Sequence, residues 1–169
     1  MAGRGSRLRP HTLSTPKPLL PIVGKPIVKR LVEDIAETLG AELNQIAFII
    51  GDFGNDIEEM LLNVAKDVGA EGVICHQKEA LGTAHAIYCA KKVLDGPVVV
   101  AFADTLFRAK FQFDLTSDVA IWVKKVKNPD AYGVIKLDNK GIITDFVEKP
   151  KSFVSDLAII GIYLSLIHI

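Results

Sequence analysis

The chain has 169 residues, 49% of them hydrophobic and 24% charged. These are the proportions of an ordinary globular domain, long enough to bury a core without disulfides or a structural metal, and they exclude a disordered, collagen-like or coiled-coil chain. Twenty Lys and Arg balance twenty Asp and Glu, giving a formal net charge of zero, so no overall field draws the chain to nucleic acid or an anionic membrane, and any anion site is local.

The opening stretch, residues 1–26, is rich in Gly, Arg and Pro. Prolines at positions 10, 16, 18, 21 and 26 exclude a regular helix or central strand there. Its start is polar, with no apolar run behind it, so no signal peptide is expected and the location reads as cytoplasmic. Ile27, Leu31, Ile35 and Leu39 predict an amphipathic helix that starts behind Pro26 and is capped by Gly40. A buried strand is predicted at Ile46 to Ile50, then a helix with Ile57, Met60, Leu61, Val64 and Val68 on its apolar stripe, Asn55 as cap and Gly69 as stop. A short strand at Val73 to His76 precedes a third helix, Thr83 to Leu94, with Thr83 as its cap. The continuous apolar run from Pro97 to Ala103 reads as a strand of the parallel kind covered on both faces.

Beyond Asp118 the pattern changes to strands alone: Val119 to Val126, Tyr132 to Leu137, a turn at Asp138 to Gly141, and Ile142 to Val147. This predicts a hairpin appended to an α/β sheet. The run Leu157 to Ile169 is too short to span a bilayer, and its first half reads as a buried strand. Residues Ser165 to Ile169 resemble a cloning scar, which puts the expected single domain at 1–164 and a non-native tail at 165–169. Cys75 and Cys89 lie in apolar surroundings without CxxC or Cys/His spacing, so they read as reduced core thiols.

Several residues are of the right type for phosphate chemistry. Gly3 and Gly5 let backbone N–H groups approach an anion, and Arg7, Arg9 and Lys17 supply cations for a polyphosphate. The stretch is neither a dinucleotide fingerprint, because Leu8 stands at the third glycine position, nor a P-loop, because Pro26 follows Gly24-Lys25; a solvated basic loop is the competing reading. Asp104 follows the most apolar strand, where ligands of open α/β sheets bind and a carboxylate can hold Mg²⁺ against substrate phosphates, or else it caps the turn before Thr105. Glu148-Lys149-Pro150 closes the hairpin strand and by itself reads as a surface ion pair. The four histidines show no ligand spacing and no partner constellation.

Taken in order, Gly3-Arg4-Gly5-Ser6-Arg7-Leu8-Arg9-Pro10, Pro16-Lys17-Pro18-Leu19, Gly24-Lys25-Pro26, Gly82-Thr83-Ala84-His85-Ala86, Asp104, Tyr132-Gly133-Val134 and Glu148-Lys149-Pro150 resemble the sugar-1-phosphate nucleotidylyltransferases. In character they are nearest to the glucose-1-phosphate thymidylyltransferase and uridylyltransferase branch, and the mannose-1-phosphate guanylyltransferases share most of them. The resemblance implies a Rossmann-like three-layer α/β fold with a mostly parallel central sheet and an appended β-hairpin. It implies a reaction between a nucleoside triphosphate and a sugar 1-phosphate, with Mg²⁺ as cofactor, no nucleic acid or membrane partner, and a homo-oligomer as a possible assembly. Arg7, Lys17, Asp104 and Lys149 would be catalytic, and Gly3, Gly5, Ser6, Gln77, Gly82 and Thr83 would hold the nucleotide. Tyr132, Gly133, Glu148 and Lys149 would line the sugar-phosphate pocket, with Asp104 on the metal. The chain starts at the glycine loop, without the family's preceding strand, and stops before its later metal aspartate, so on this reading the chain as it stands is expected to be inactive. The alternative is a regulatory subunit that uses the same fold without catalysis.

Overall fold

The computed structural model describes residues 10–11, 15–40, 42–107, 109 and 118–166. The chain divides into two compact units, Met1–Asp95 with Phe102–Phe113, and Gly96–Ala101 with Asp114–Ile169.

The first unit opens on a 3-10 turn, Lys17–Leu19, whose Pro18 and Leu19 are buried. Two short antiparallel strands follow, β1 (Pro21–Ile22) and β2 (Lys25–Pro26). Arg30 binds the turn between them, its Nε and Nη2 donating to the Ile22 carbonyl at 3.0 and 2.7 Å and Nη2 also to that of Val23 at 3.1 Å. Helix α1 (Ile27–Leu39) begins after Pro26 and ends at Gly40, which takes the left-handed conformation, φ 58°, that a glycine C-cap supplies. Strand β3 (Gln45–Ile50), helix α2 (Asn55–Asp67) and strand β4 (Glu71–His76) form a β-α-β unit, β3 and β4 pairing in parallel with Gln45 opposite Glu71. The core lies between this pair and the helices: Val28, Val32, Phe48, Ile50, Leu61, Val64, Ala65 and Ala70. Helix α3 (Thr83–Cys89) follows β4 in the same unit.

The second unit is a five-stranded sheet. β5 (Pro97–Ala101) and β6 (Val119–Lys125) both pair antiparallel with the long β9 (Leu157–Leu166), with a register shift around Trp122. β7 (Gly133–Leu137) and β8 (Ile143–Glu148) form the hairpin read from the sequence, and β7 joins the sheet through Val134 opposite Ala158. Asp138 closes the hairpin turn, its Oδ1 accepting from the N–H groups of Lys140 and Ile142 at 2.8 Å each. Val134, Ile135, Ala158, Ile162 and Leu164 are buried.

Several sequence expectations need correction. Among the described residues the parallel pairing is β3 with β4; β5, read as a parallel strand, runs antiparallel to β9. An apolar run reports that both faces of a strand are covered, and only its neighbours decide its direction. Asn55 and Thr83 are the first residues of their helices, preceded by Gly54 at φ 85° and Gly82 at φ 101°, and neither helix has a side-chain cap. The third helix stops at Cys89, and a 3-10 turn, Lys91–Val93, replaces its predicted end. Cys75 and Cys89 are free thiols and half-buried. β9 runs to Leu166, placing Ser165 opposite Val98 and Val119.

Candidate active site

In the first unit, the 3-10 turn locks Pro18 and Leu19 inside and leaves Lys17 between them and solvent. Asp104 follows β5 by three residues in a turn held by the Thr105 N–H donating to the Phe102 carbonyl at 3.1 Å. Its carboxylate turns toward the proline-rich segment, and Lys17 Nζ donates to Asp104 Oδ2 at 2.9 Å. The two side chains are 33% and 53% exposed. A pair this open contributes at most about 1 kcal/mol to stability, so it is a poor fastener. It is a cation and a carboxylate held at the surface, ready to exchange partners with an anion or a metal.

Gln77, the residue after β4, is a buried polar side chain at 6% exposure. Its N–H donates to the Ile50 carbonyl at 2.8 Å, prolonging the β3–β4 alignment by one bond. Its side-chain Nε2 donates to the Gly82 carbonyl at 3.0 Å and lies 3.1 Å from His85 Nδ1. Across the same ring, His85 Nε2 lies 3.9 Å from Cys89 Sγ. The structure therefore brings Gln77, Gly82 and the start of α3 together, with His85 beside them. Sequence reasoning set His85 aside for want of ligand spacing. The available signal was its position three residues after Gly82, which on a short helix returns the ring toward the residue before the helix. Burial pushes the Cys75 thiol up, with a smaller contribution from Cys89.

In the second unit, Tyr132, Gly133, Glu148 and Lys149 meet where the hairpin strands end. Gly133 pairs with Glu148 across the strands, and a side chain at Gly133 would put its first carbon 2.9 Å from Glu148 Oε2. Glycine at 133 therefore leaves the space the carboxylate occupies. Lys149 adopts φ 45°, unusual for a side chain of its size, while its N–H donates to the Tyr132 carbonyl at 3.0 Å. Its Nζ lies 3.5 Å from Glu148 Oε1, and both side chains are largely exposed. Burial, and secondarily Glu148, raises the Tyr163 hydroxyl above the usual tyrosine range. The cluster presents an ammonium, a carboxylate and a half-exposed phenol on one hairpin end.

The family profile described as nucleotidyl transferase matches residues 1–165. The chain belongs to the nucleotidyl transferase family. It is 36% identical over 173 residues to the mannose-1-phosphate guanylyltransferase catalytic subunit beta of Drosophila melanogaster, a match covering 97% of this chain and 46% of the relative. It is 34% identical over 170 residues to the low-salt glycan biosynthesis nucleotidyltransferase Agl11 of Haloferax volcanii, covering 96% and 46% respectively. The chain thus spans about half the length of these curated relatives. Among solved structures, a putative glucose-1-phosphate thymidylyltransferase from Bacillus anthracis superposes with a TM-score of 0.84 at 27% identity, covering 98% of this chain and 68% of that one. The Rossmann-like α/β fold expected from the motifs is therefore the fold of this chain.

Gly3, Gly5, Ser6 and Arg7, the glycine-loop part of the expected site, lie outside the described residues. For a metal, the described residues contain no group of three or more His, Cys, Asp or Glu able to hold one. Asp104 by itself suits Mg²⁺, which keeps much of its water and is commonly held by one or two carboxylates together with substrate phosphates.

Proposed function

We propose that the chain forms the part of an enzyme that joins a nucleoside triphosphate to a sugar 1-phosphate, releasing pyrophosphate and giving a nucleotide-sugar. The observation that carries this reading is the Lys17–Asp104 pair at 2.9 Å, which sets a cation beside a carboxylate at the strand end where the family's motif order expects the triphosphate.

A phosphate oxygen of the sugar phosphate attacks the α-phosphorus, the bond from that phosphorus to the β-bridging oxygen breaks, and pyrophosphate leaves with the electron pair. The nucleophile has a second pKa of about 6 and is largely dianionic at neutral pH, so no general base is needed. What the step requires is neutralisation of crowded phosphate charge and in-line positioning. On this reading Lys17 and Arg7 meet the triphosphate, Lys149 meets the phosphate of the sugar, and Glu148 and Tyr132 meet the sugar itself. Mg²⁺ held by Asp104 would neutralise phosphate charge and help orient the leaving pyrophosphate. Gln77, Gly82 and Thr83 meet the base, and the cytoplasm, where nucleoside triphosphates are kept, is the proposed place of the reaction.

The named relatives differ in sugar and in nucleotidyl group, one a mannose-1-phosphate guanylyltransferase and one structural neighbour a putative glucose-1-phosphate thymidylyltransferase. We assign this chain to the thymidylyl and uridylyl branch on its motifs. The test is a panel of UTP, dTTP, GTP, ATP and CTP against glucose, mannose and N-acetylglucosamine 1-phosphates, using the full-length protein and scoring Mg²⁺-dependent pyrophosphate release. Turnover with dTTP or UTP as best nucleotide is expected. Best turnover with GTP overturns the branch, and no pyrophosphate release with any pair overturns the activity.

A further inference from the structure

A primary amide has two N–H donors and one carbonyl acceptor. In Gln77 the Gly82 carbonyl, 3.0 Å from Nε2, can only accept, so the atom facing it must be the nitrogen. The second Nε2 proton faces His85 Nδ1 at 3.1 Å, and an Nδ1 that accepts belongs to a neutral imidazole carrying its proton on Nε2. That Nε2–H faces Cys89 Sγ at 3.9 Å, a soft acceptor that suits this tautomer. Both donors of the amide are thus spent within unit one, and rotating the amide by half a turn would set its oxygen against the Gly82 carbonyl, acceptor against acceptor. With Nε2 held between these two partners, the remaining polar group of the amide, Oε1, points away from both of them.

We propose that His85 is a positioning residue for base recognition: by accepting from Gln77 it fixes that amide with Oε1 turned away from Gly82 and His85, so that the chain selects a nucleotide base offering a ring N–H donor at this contact. The inference rests on the reading that Gln77 meets the base. It assigns to His85 no contact with substrate; its influence passes through the orientation of one buried amide.

The test uses the full-length protein and nucleotide binding measured by calorimetry, without turnover. The nucleotide bound best in the five-base panel is compared with its isostere carrying CH in place of the ring N–H, 3-deaza-UTP for UTP or 1-deaza-GTP for GTP. The parent is expected to prefer the N–H form by on the order of tenfold, the loss of a hydrogen bond in a partly desolvated site. In His85→Ala that preference falls by at least about threefold, because the amide is held by one bond where two held it before. His85→Asn, whose Oδ1 lies near the position of Nδ1, restores the preference, whereas His85→Gln, which mimics the other ring nitrogen, does not. A merely structural histidine would weaken both nucleotides equally and leave the ratio unchanged in every variant, and that result overturns the proposal while leaving the proposed activity standing. A parent that binds ATP or CTP best, bases without a ring N–H, overturns the proposal, and a parent that binds no nucleotide overturns both. Thermal midpoints of the variants identify any that fail to fold, and for those the ¹⁵N shifts of His85 in the parent decide: a protonated Nδ1 overturns the proposal.

Discussion

Asp104 follows an apolar strand, a position legible in sequence, and the structure adds what it touches, Lys17 Nζ at 2.9 Å across 87 residues of sequence. Exchanging its charge for an amide, Asp104→Asn, is expected to lower Mg²⁺-dependent pyrophosphate release by on the order of 100-fold or more, the effect of a lost metal contact. A variant retaining more than about a tenth of parent turnover would remove Asp104 from the metal site. Val23 tests stability at the same scale. It is β-branched, sits at φ 50° and is 91% exposed, so it carries backbone strain with almost no packing in return. Val23→Asn, a residue that tolerates this conformation, is expected to gain about 1 kcal/mol, read as a higher midpoint in urea; an unchanged or lower midpoint would show that the turn holds no relievable strain. Gln77 and Gly82 were legible as a motif. Their link to His85 was not, because a hydrogen bond closed by the first turn of a helix leaves no periodic trace in sequence.

At the scale of elements, hydrophobic periodicity located α1, α2 and the hairpin to within a residue or two, since a stripe must face the core. The helix starts were less legible, because Gly54 and Gly82 do with a positive φ what a side-chain cap does elsewhere. Gly72 marks how closely α2 lies on β4: a methyl there would meet Leu62 Cδ2 at 2.9 Å and the Leu62 Cα at 3.1 Å. Gly72→Ala is therefore expected to destabilise by roughly 1–3 kcal/mol through overpacking, measured by chemical denaturation; a neutral result would mean the helix shifts freely. A second link joins α1 to α2, where Lys29 Nζ donates to Asp67 Oδ2 at 2.6 Å. That hydrogen bond is the largest cause holding the Asp67 carboxyl below its ordinary range and the Lys29 ammonium above its own. The depressed carboxyl contributes above its unfolded pKa and is lost as pH falls through its folded value, whereas the raised ammonium contributes below its unfolded pKa and is lost as pH rises through its folded value. The link is thus full between roughly pH 4 and pH 10 and fades beyond both ends. Because both groups are exposed, the effect is small. Asp67→Asn should flatten part of the fall in thermal midpoint below pH 4, and an unaltered acid limb would show that the pair is not coupled to folding.

For the whole molecule, the division into two compact units predicts two groups of exchange-protected amides, each tied to its own core. Leu164 is 1% exposed and pairs with Val99 of β5 and Ala120 of β6. Leu164→Ala is expected to cost about 2–5 kcal/mol and to speed hydrogen exchange in β5, β6 and β9 while leaving β3 and β4 as in the parent. Equal acceleration in both groups would show a single cooperative unit. No linker in the sequence marks the change from helix–strand alternation to strands alone. The division follows instead from pairing: β5 leaves the chain order of the first unit to join β9, a partner more than fifty residues further along.

By itself the sequence determined the class of fold, the places of most elements and the motif residues of the family, because apolar periodicity, glycine and proline placement and phosphate-binding chemistry are local properties of a chain. Tertiary structure alone decided that β5 runs antiparallel, that Lys17 reaches Asp104, that Gly133 leaves room for Glu148, and that His85 closes on Gln77. Each of these depends on which distant segment arrives beside which. That is set by the best common burial of the apolar faces and by the need of every buried polar group for a partner, conditions the whole chain satisfies at once and no short stretch records.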